Sequence, residues 1–170
     1  CGVTNVVASS GTAFTPEQAQ LLARSAGSAV LMFDSDSAGQ NAAVRVLDSL
    51  ATDGGGTLRM TAPGALVEVQ GAANFHGGST VGLLTDGVLL LRQSLVQAGT
   101  PSAFAASGAH VTRFSTEGVQ AITFANPGSD ASSSHFWDLD VAQASGGRVD
   151  LLSDIVVLGQ LRETMASPAQ

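Results

Sequence analysis

Two aspartates separated by one serine are the residues whose spacing most readily supports chemistry in this sequence. Asp34, Ser35 and Asp36 directly follow the apolar run Ala29–Phe33. Alternate residues at the end of a strand can converge on one point, and carboxylate oxygens are hard ligands, so the pair is suited to Mg²⁺. The alternative is that both carboxylates cap the start of a following helix.

The residues around this aspartate pair alternate between strand and helix patterns. Residues 3–8 read as a short strand, and Thr15 with Pro16 starts a helix that ends at Gly27. The run Ala29–Phe33 is typical of a strand buried on both faces. A second helix is predicted next from apolar residues on one side, namely Ala42, Ala43, Val46, Leu47 and Leu50. Residues 1–53 are therefore predicted to form an α/β segment.

The remaining sequence carries β patterns with small polar turns and no convincing helical period. Seven short runs have strand character: Thr57–Thr61, Leu66–Gln70, Val88–Leu91, His110–Phe114, Ala121–Phe124, Phe136–Val141 and Ile155–Leu158. We predict a mainly β region over residues 54–165, followed by a tail at 166–170.

Loose repetition favours a parallel β-solenoid for this region. Val88 and Val111 are 23 residues apart, and so are Leu66 and Leu89. Such recurrence suits coils that each add a short strand to stacked sheets. A β-sandwich fits the same strands and remains the alternative.

Composition excludes several classes of function. The net charge is −7, with 14 acidic residues against seven basic ones, all of them arginine. This balance argues against broad binding to nucleic-acid phosphates. The single cysteine, Cys1, excludes an internal disulfide framework and a cysteine-based zinc site. No apolar run approaches the roughly 20 residues that span a bilayer.

Two stretches near the amino end resemble the Toprim domain of bacterial replicative DNA primases, in family order and spacing. They are Gly2–Leu22, which contains Gly-Thr-Ala-Phe-Thr, and Ala29–Arg45, which contains Asp-Ser-Asp-Ser-Ala-Gly. The resemblance covers about residues 2–50. It implies metal-dependent nucleotidyl transfer, with Asp34 and Asp36 as Mg²⁺ ligands.

The sequence also departs from the Toprim pattern. The family's acid/base glutamate belongs on a strand before the matching residues. Its further acidic cluster is expected where Ala65-Leu-Val-Glu-Val stands. Without these groups we expect only weak Mg²⁺ affinity and no independent primase activity.

A second resemblance covers about residues 55–165. The segments Gly56–Val69, Phe104–Phe114 and Val119–Gly128 resemble bacterial surface proteins built from β-solenoid repeats. This resemblance implies an adhesive or structural role at the cell surface or outside the cell, whereas the primase resemblance implies the cytoplasm. We interpret the chain as a fusion of two segments.

Other candidate residues have simpler interpretations. His76, His110 and His135 are too scattered for a zinc site, and we expect them to be solvated. A carboxylate–arginine cluster that acts on acidic polysaccharides is conceivable from Asp138, Asp140, Asp150 and Arg148. Strand alternation already explains the first two aspartates as solvent-facing residues. Phe136 could mark a sugar-binding surface, although a packed aromatic is the favoured interpretation.

The function expected from the sequence is a non-catalytic structural, adhesive or interaction module that carries a truncated primase-like segment. The first alternative is a fragment of a Mg²⁺-dependent DNA primase, and the second is a polysaccharide-binding solenoid. We expect self-association or a protein or glycan partner. Nucleic acid would be a partner only of a complete primase-like domain.

Overall fold

The chain is represented by a computed structural model that describes residues 44–115, 117–142 and 146–164. Its strands form two parallel sheets. The long sheet has six strands in the order β1 (Val44–Leu47), β3 (Leu66–Val69), β5 (Val88–Leu91), β7 (Val111–Phe114), β9 (Asp138–Val141) and β11 (Leu161–Glu163). The short sheet has five strands in the order β2 (Leu50–Thr52), β4 (Ala73–Phe75), β6 (Leu95–Gln97), β8 (Val119–Phe124) and β10 (Arg148–Leu151).

Successive strands alternate between the two sheets, so the chain winds in coils. Each strand pairs in parallel with the strand two places further along the chain. On a third side the described residues form isolated parallel bridges, including Met60 with Leu84 and Leu84 with Ala106. This arrangement is a parallel β-solenoid, as the sequence predicts. The alternative β-sandwich is wrong, because sandwiches pair their strands in antiparallel fashion.

The coil length follows from the strand registers. Val88 pairs with Val111, which confirms the predicted spacing of 23 residues. Leu66 pairs with Val88, one residue short of the predicted partner Leu89. The fourth coil is longer, since Val111 pairs with Asp138. The repeat is therefore about one coil per 22 residues, and the four extra residues of the fourth coil lie between Phe114 and Ile122.

The predicted second helix is wrong within the described residues. Val44–Leu47 and Leu50–Thr52 are strands that pair with β3 and β4. Val44 and Val46 are β-branched and two residues apart, which suits a strand better than a helix. Stacking on the next coil thus outweighs the helical spacing of the apolar residues. The predicted elements over residues 1–43 lie outside the described residues.

Inward-facing residues of neighbouring coils stack to form the core. In the long sheet the burial pattern alternates, so Val67, Leu89 and Leu139 lie in one buried row. At the centre lie four phenylalanines: Phe104 has ring-centroid distances of 4.8 Å to Phe75, 5.7 Å to Phe124 and 5.3 Å to Phe136. Burial of these rings against adjacent coils holds the solenoid together.

Tight turns connect the third side to the long sheet. Gly87 has φ of 77°, and a Cβ atom there would lie 2.6 Å from the backbone oxygen of Ala65. Only glycine fits both the left-handed backbone and this close approach between coils.

Among the described residues, no helix is long and apolar enough to cross a membrane.

Candidate functional site

The predicted Mg²⁺ ligands Asp34 and Asp36 lie outside the described residues. Within residues 44–115, 117–142 and 146–164, no three histidine, cysteine, aspartate or glutamate side chains come together in a way that could hold a metal ion. The described residues instead carry a set of ion pairs on the outer faces of the two sheets.

The most buried of these contacts joins Arg113 to Asp140. Arg113 on β7 donates from Nε to Oδ2 of Asp140 on β9, over 2.7 Å. The two residues are register partners in the long sheet, so the ion pair crosses directly between adjacent coils. The Asp140 side chain is only 7% exposed. The prediction that Asp140 faces solvent is therefore wrong, because Arg113 covers it.

A second contact joins three coils. Arg92 donates from Nε to Oε1 of Glu68 over 2.8 Å, and from Nη1 to both the backbone oxygen and Oγ of Ser115 over 3.1 Å. Glu68 lies one coil before Arg92, and Ser115 lies one coil after it. Sequence reasoning missed this group. Its signal was the spacing of roughly one coil between Glu68, Arg92 and Ser115.

A third contact lies near the carboxyl end. Arg162 on β11 donates from Nη2 to Oδ2 of Asp138 over 3.1 Å. The other carboxylate oxygen of Asp138 accepts a hydrogen bond from the backbone nitrogen of Gln160 over 2.8 Å. Asp138 thus secures the turn that leads into β11.

The predicted four-residue carboxylate–arginine cluster does not assemble as one site. Asp138 and Asp140 are on β9 of the long sheet, while Arg148 and Asp150 are on β10 of the short sheet. Arg148 pairs with Asp150 at 2.9 Å, within one strand, and both side chains are exposed. Each described aspartate of the set has its own arginine, so none is left as a shared acid/base pair.

Two of the three histidines contradict the expectation of solvated positions. His110 is fully buried, and its Nδ1 donates to the backbone oxygen of Asp86 over 3.0 Å. His135 is 5% exposed and donates from Nδ1 to the backbone oxygen of Gly128 over 3.1 Å. His76 is exposed, as expected, and lies 3.9 Å from Asp53. Both buried rings hold neighbouring turns in place.

The buried position of His110 also changes the pKa of its ring. Burial lowers its pKa from the ordinary value of 6.5, against smaller opposing effects from the Asp86 backbone and carboxylate. Neither His110 Nε2 nor the neighbouring Thr112 Oγ1 has a hydrogen-bond partner in the described structure. Burial therefore favours the neutral form of the ring.

The aromatic side chain considered as a sugar-binding group is in the core. Phe136 is fully buried, with its ring stacked on Phe124 at 5.0 Å between centroids. Trp137 is partly buried and packs against the same core. The favoured interpretation, a packed aromatic, is confirmed, and neither ring forms an exposed platform for a sugar.

A small polar loop follows β8 and was not predicted as a feature. The Asp130 carboxylate accepts hydrogen bonds from the Ser132 backbone nitrogen over 2.8 Å and from the Ser133 hydroxyl. The hydrogen bond from the Ser132 hydroxyl is the main cause that lowers the pKa of Asp130 below its ordinary value, followed by the bonds from the Ser132 nitrogen and the Ser133 hydroxyl. The Asp-x-Ser-Ser sequence is a local turn signal, and these contacts serve the loop itself.

Comparison with known proteins distinguishes the two parts of the chain. Residues 1–65 match the Toprim-like family. A DNA primase of Clostridium acetobutylicum is 51% identical over 53 residues, which make up 31% of this chain and 9% of that primase. No solved structure matches the chain. The predicted similarity of the amino-terminal segment to Toprim is thereby confirmed.

The family match and the solenoid overlap along the sequence. The match extends to residue 65, whereas β1 and β2 already pair within the two sheets from Val44 onward. Residues 44–65 therefore have Toprim-like sequence and the structure of a solenoid coil.

Proposed function

We propose that the chain works as a non-catalytic β-solenoid scaffold that presents its outer surface and its end to other molecules. The observation that carries this proposal is that carboxylates of the long sheet form ion pairs between neighbouring coils. Glu68, Asp138 and Asp140 each bind an arginine of a neighbouring coil. Carboxylates committed to such contacts hold coils together and are poorly placed to act as general acids or bases.

The acidic surface and stacked coils fit a scaffold in a second way. Solenoids gain stability from contacts between neighbouring coils and offer extended surfaces to partners. The cross-coil pairs secure the long sheet at three places along its length: Glu68–Arg92, Arg113–Asp140 and Asp138–Arg162. A rigid outer face results, on which a partner would meet alternating charges.

An assay of nucleotidyl transfer tests this proposal. The chain is incubated with single-stranded DNA, ribonucleotides and Mg²⁺ or Mn²⁺, beside a complete bacterial DNA primase as positive control. A scaffold yields no primer under conditions in which the control is active. Primer synthesis that disappears in the Asp34→Asn/Asp36→Asn variant would contradict the scaffold proposal.

The match to a DNA primase favours one second candidate, a Mg²⁺-binding primase fragment. In this candidate Asp34 and Asp36 supply carboxylate oxygens to the metal ion, whose chemistry is to neutralise charge on phosphate oxygens. Calorimetric titration with Mn²⁺ tests it separately from activity. Binding that is lost in Asp34→Asn/Asp36→Asn, but kept in the matched variant Asp53→Asn, supports the candidate, and identical titrations of all three proteins remove it.

A further inference from the structure

Two Asp-Gly sequences occur in the chain, Asp53-Gly54 and Asp86-Gly87, and the structure holds them very differently. An aspartate that precedes glycine is open to attack on its carboxyl carbon, because the next backbone nitrogen carries no bulky neighbour when it approaches. The attack requires rotation about the bond between Cα and the carbonyl carbon of the aspartate. A backbone held by hydrogen bonds on both sides resists this rotation, so its surroundings decide how fast each aspartate reacts.

Asp53 and Gly54 lie in an open turn after β2. The Asp53 side chain is 82% exposed, and its ion pair with His76 measures 3.9 Å, which is too long for a hydrogen bond. Gly54 has φ of 58°, and beyond their immediate neighbours no atom lies within 4 Å of the Cβ position of Gly54 or Gly55. The Gly56 nitrogen donates to the Asp53 oxygen over 2.9 Å. Rotation at Asp53 therefore disturbs one hydrogen bond within the turn itself.

Asp86 and Gly87 are instead fixed by the coils on both sides. The Asp86 nitrogen donates to the Met60 oxygen over 3.1 Å, and the Asp86 oxygen accepts from His110 Nδ1 over 3.0 Å. Gly87 is buried, and its oxygen accepts from the Val111 nitrogen over 3.0 Å. The Gly87 nitrogen directs its hydrogen at Oδ1 of Asp86 over 2.8 Å. Rotation at Asp86 would therefore break contacts with neighbouring coils.

We infer that Asp53 is a site of spontaneous isoaspartate formation in the folded chain, and that Asp86 is protected from the same reaction. The Gly54 nitrogen attacks Cγ of the protonated Asp53 carboxyl group. A C–N bond forms, the C–OH bond breaks, and the hydroxyl group leaves as water with the proton of the nitrogen. The product is a cyclic succinimide.

Water then opens the succinimide in one of two ways. Addition at Cγ breaks the new C–N bond and restores aspartate. Addition at the main-chain carbonyl carbon breaks the original peptide bond, so that Gly54 stays linked through Cγ and Asp53 becomes isoaspartate. One water molecule is released and one is taken up, so the mass of the chain is unchanged and no further reactant is needed.

The modified turn packs against the second coil. The Gly78 nitrogen donates to the Gly56 oxygen over 2.8 Å, just after the reactive pair. Isoaspartate adds one carbon atom to the main chain beside this contact, so we expect it to loosen the first coil against the second. This reactivity is independent of the scaffold function.

Peptide mass spectrometry of the full chain, after prolonged incubation in mildly acidic buffer, tests the inference. Because the chain contains no lysine, trypsin cleaves at arginine and places Asp53 and Asp86 in separate peptides, residues 46–59 and 60–92. Electron-transfer fragmentation then locates isoaspartate in each peptide. We expect Asp53 to isomerise at least about tenfold faster than Asp86 in the folded chain, since the contacts between coils add to the barrier at Asp86. In concentrated urea the two rates should become similar.

Asp53→Glu identifies the reacting residue, because the longer side chain must close a larger and less favourable ring. This variant should lose the isoaspartate signal of peptide 46–59. The matched control is Asp48→Glu, which changes another exposed aspartate of the same peptide and should keep the signal. Three results would overturn the inference: equal rates at Asp53 and Asp86 in the folded chain, no reaction at Asp53 while the chain in urea reacts, or a difference in rate that persists in urea.

Discussion

The Nε atom of Arg113 lies 2.7 Å from Oδ2 of Asp140, and the two residues are direct partners on adjacent parallel strands. The carboxylate is 7% exposed and the guanidinium 42%, so a half-exposed arginine covers a buried aspartate. Such a pair holds two coils in register, since a shift of one residue would leave the carboxylate without its partner.

Removal of Arg113 is expected to destabilise the fold more than removal of an exposed partner. In Arg113→Met the Asp140 carboxylate remains buried without its ion pair, which should cost about 1–3 kcal/mol in free energy of unfolding. Arg148→Met breaks an exposed pair with Asp150 and should cost no more than about 1 kcal/mol. Urea unfolding followed by circular dichroism measures both. Equal losses in the two variants would contradict the assigned difference in burial.

Acidification is expected to destabilise the fold through His110. Because burial lowers its pKa below 6.5 in the folded chain, the unfolded chain binds the proton more readily. Stability from the neutral ring is therefore complete above pH 6.5 and falls as the pH drops below that value. The loss should approach about 1.4 kcal/mol per pH unit until the folded-state pKa is reached.

Two histidine variants isolate this effect. His110→Gln cannot titrate and should show a flatter dependence of urea stability on pH between 5 and 7, whereas the exposed His76→Gln should follow the wild type. An NMR titration of the His110 ring supplies a measurement on the unmodified chain. A ring that protonates near pH 6.5 in the folded state would contradict the assigned burial effect.

Replacement of Phe104 should weaken the centre of the solenoid. Phe104 contacts three other rings, at 4.8, 5.7 and 5.3 Å between centroids. Phe104→Leu keeps an apolar side chain but loses these aromatic contacts, so we expect a loss of at least about 1 kcal/mol. Thermal unfolding by calorimetry gives the value, with the exposed Val81→Ala as control. A change no larger than that of the control would show that the cluster contributes little.

Alanine substitutions at two glycines with similar φ angles distinguish the cost of a left-handed backbone from the cost of a close contact between coils. Gly82 has φ of 70° with open space around its Cβ position, while Gly87 has φ of 77° and the Ala65 oxygen 2.6 Å away. Gly82→Ala should lower the free energy of unfolding by about 1–2 kcal/mol, because the alanine must adopt a left-handed backbone. Gly87→Ala should cost clearly more, because two coils must also move apart. Chemical denaturation measures the free energy of unfolding of both variants. Similar losses would contradict the close contact between Gly87 and the Ala65 oxygen.

The longer strands and the solenoid class could be predicted from the sequence. Val88–Leu91 is a strand with the predicted bounds, and its spacing to Val111 gives the coil length. The short strands Ala73–Phe75 and Leu95–Gln97 were missed, because three residues are too few for a visible alternation. Their strand conformation depends on pairing with neighbouring coils.

The charged contacts could be predicted only in part. Asp138 and Asp140 can be identified in the sequence because they alternate with apolar residues. Their arginine partners, however, depend on a register between coils that the sequence shows only loosely. Arg113 and Asp140 are 27 residues apart, although the neighbouring coils repeat at 22 or 23. The extra residues of the fourth coil hide the pairing. The burial of His110 was missed for a similar reason, since its cover comes from the adjoining coils.

The fourth coil also carries an exposed loop between β8 and β9. The segment between Asn126 and Ser134 leaves the stack, and its base is closed by a hydrogen bond from the Ser134 nitrogen to the Asn126 oxygen over 2.9 Å. Beyond it, Asp138 still pairs with Val111. Foreign peptides inserted in this loop would project outward, because the hydrogen bond at its base holds the flanking residues in place. Residues 129–132 are therefore a suitable insertion point for displaying peptides on this protein.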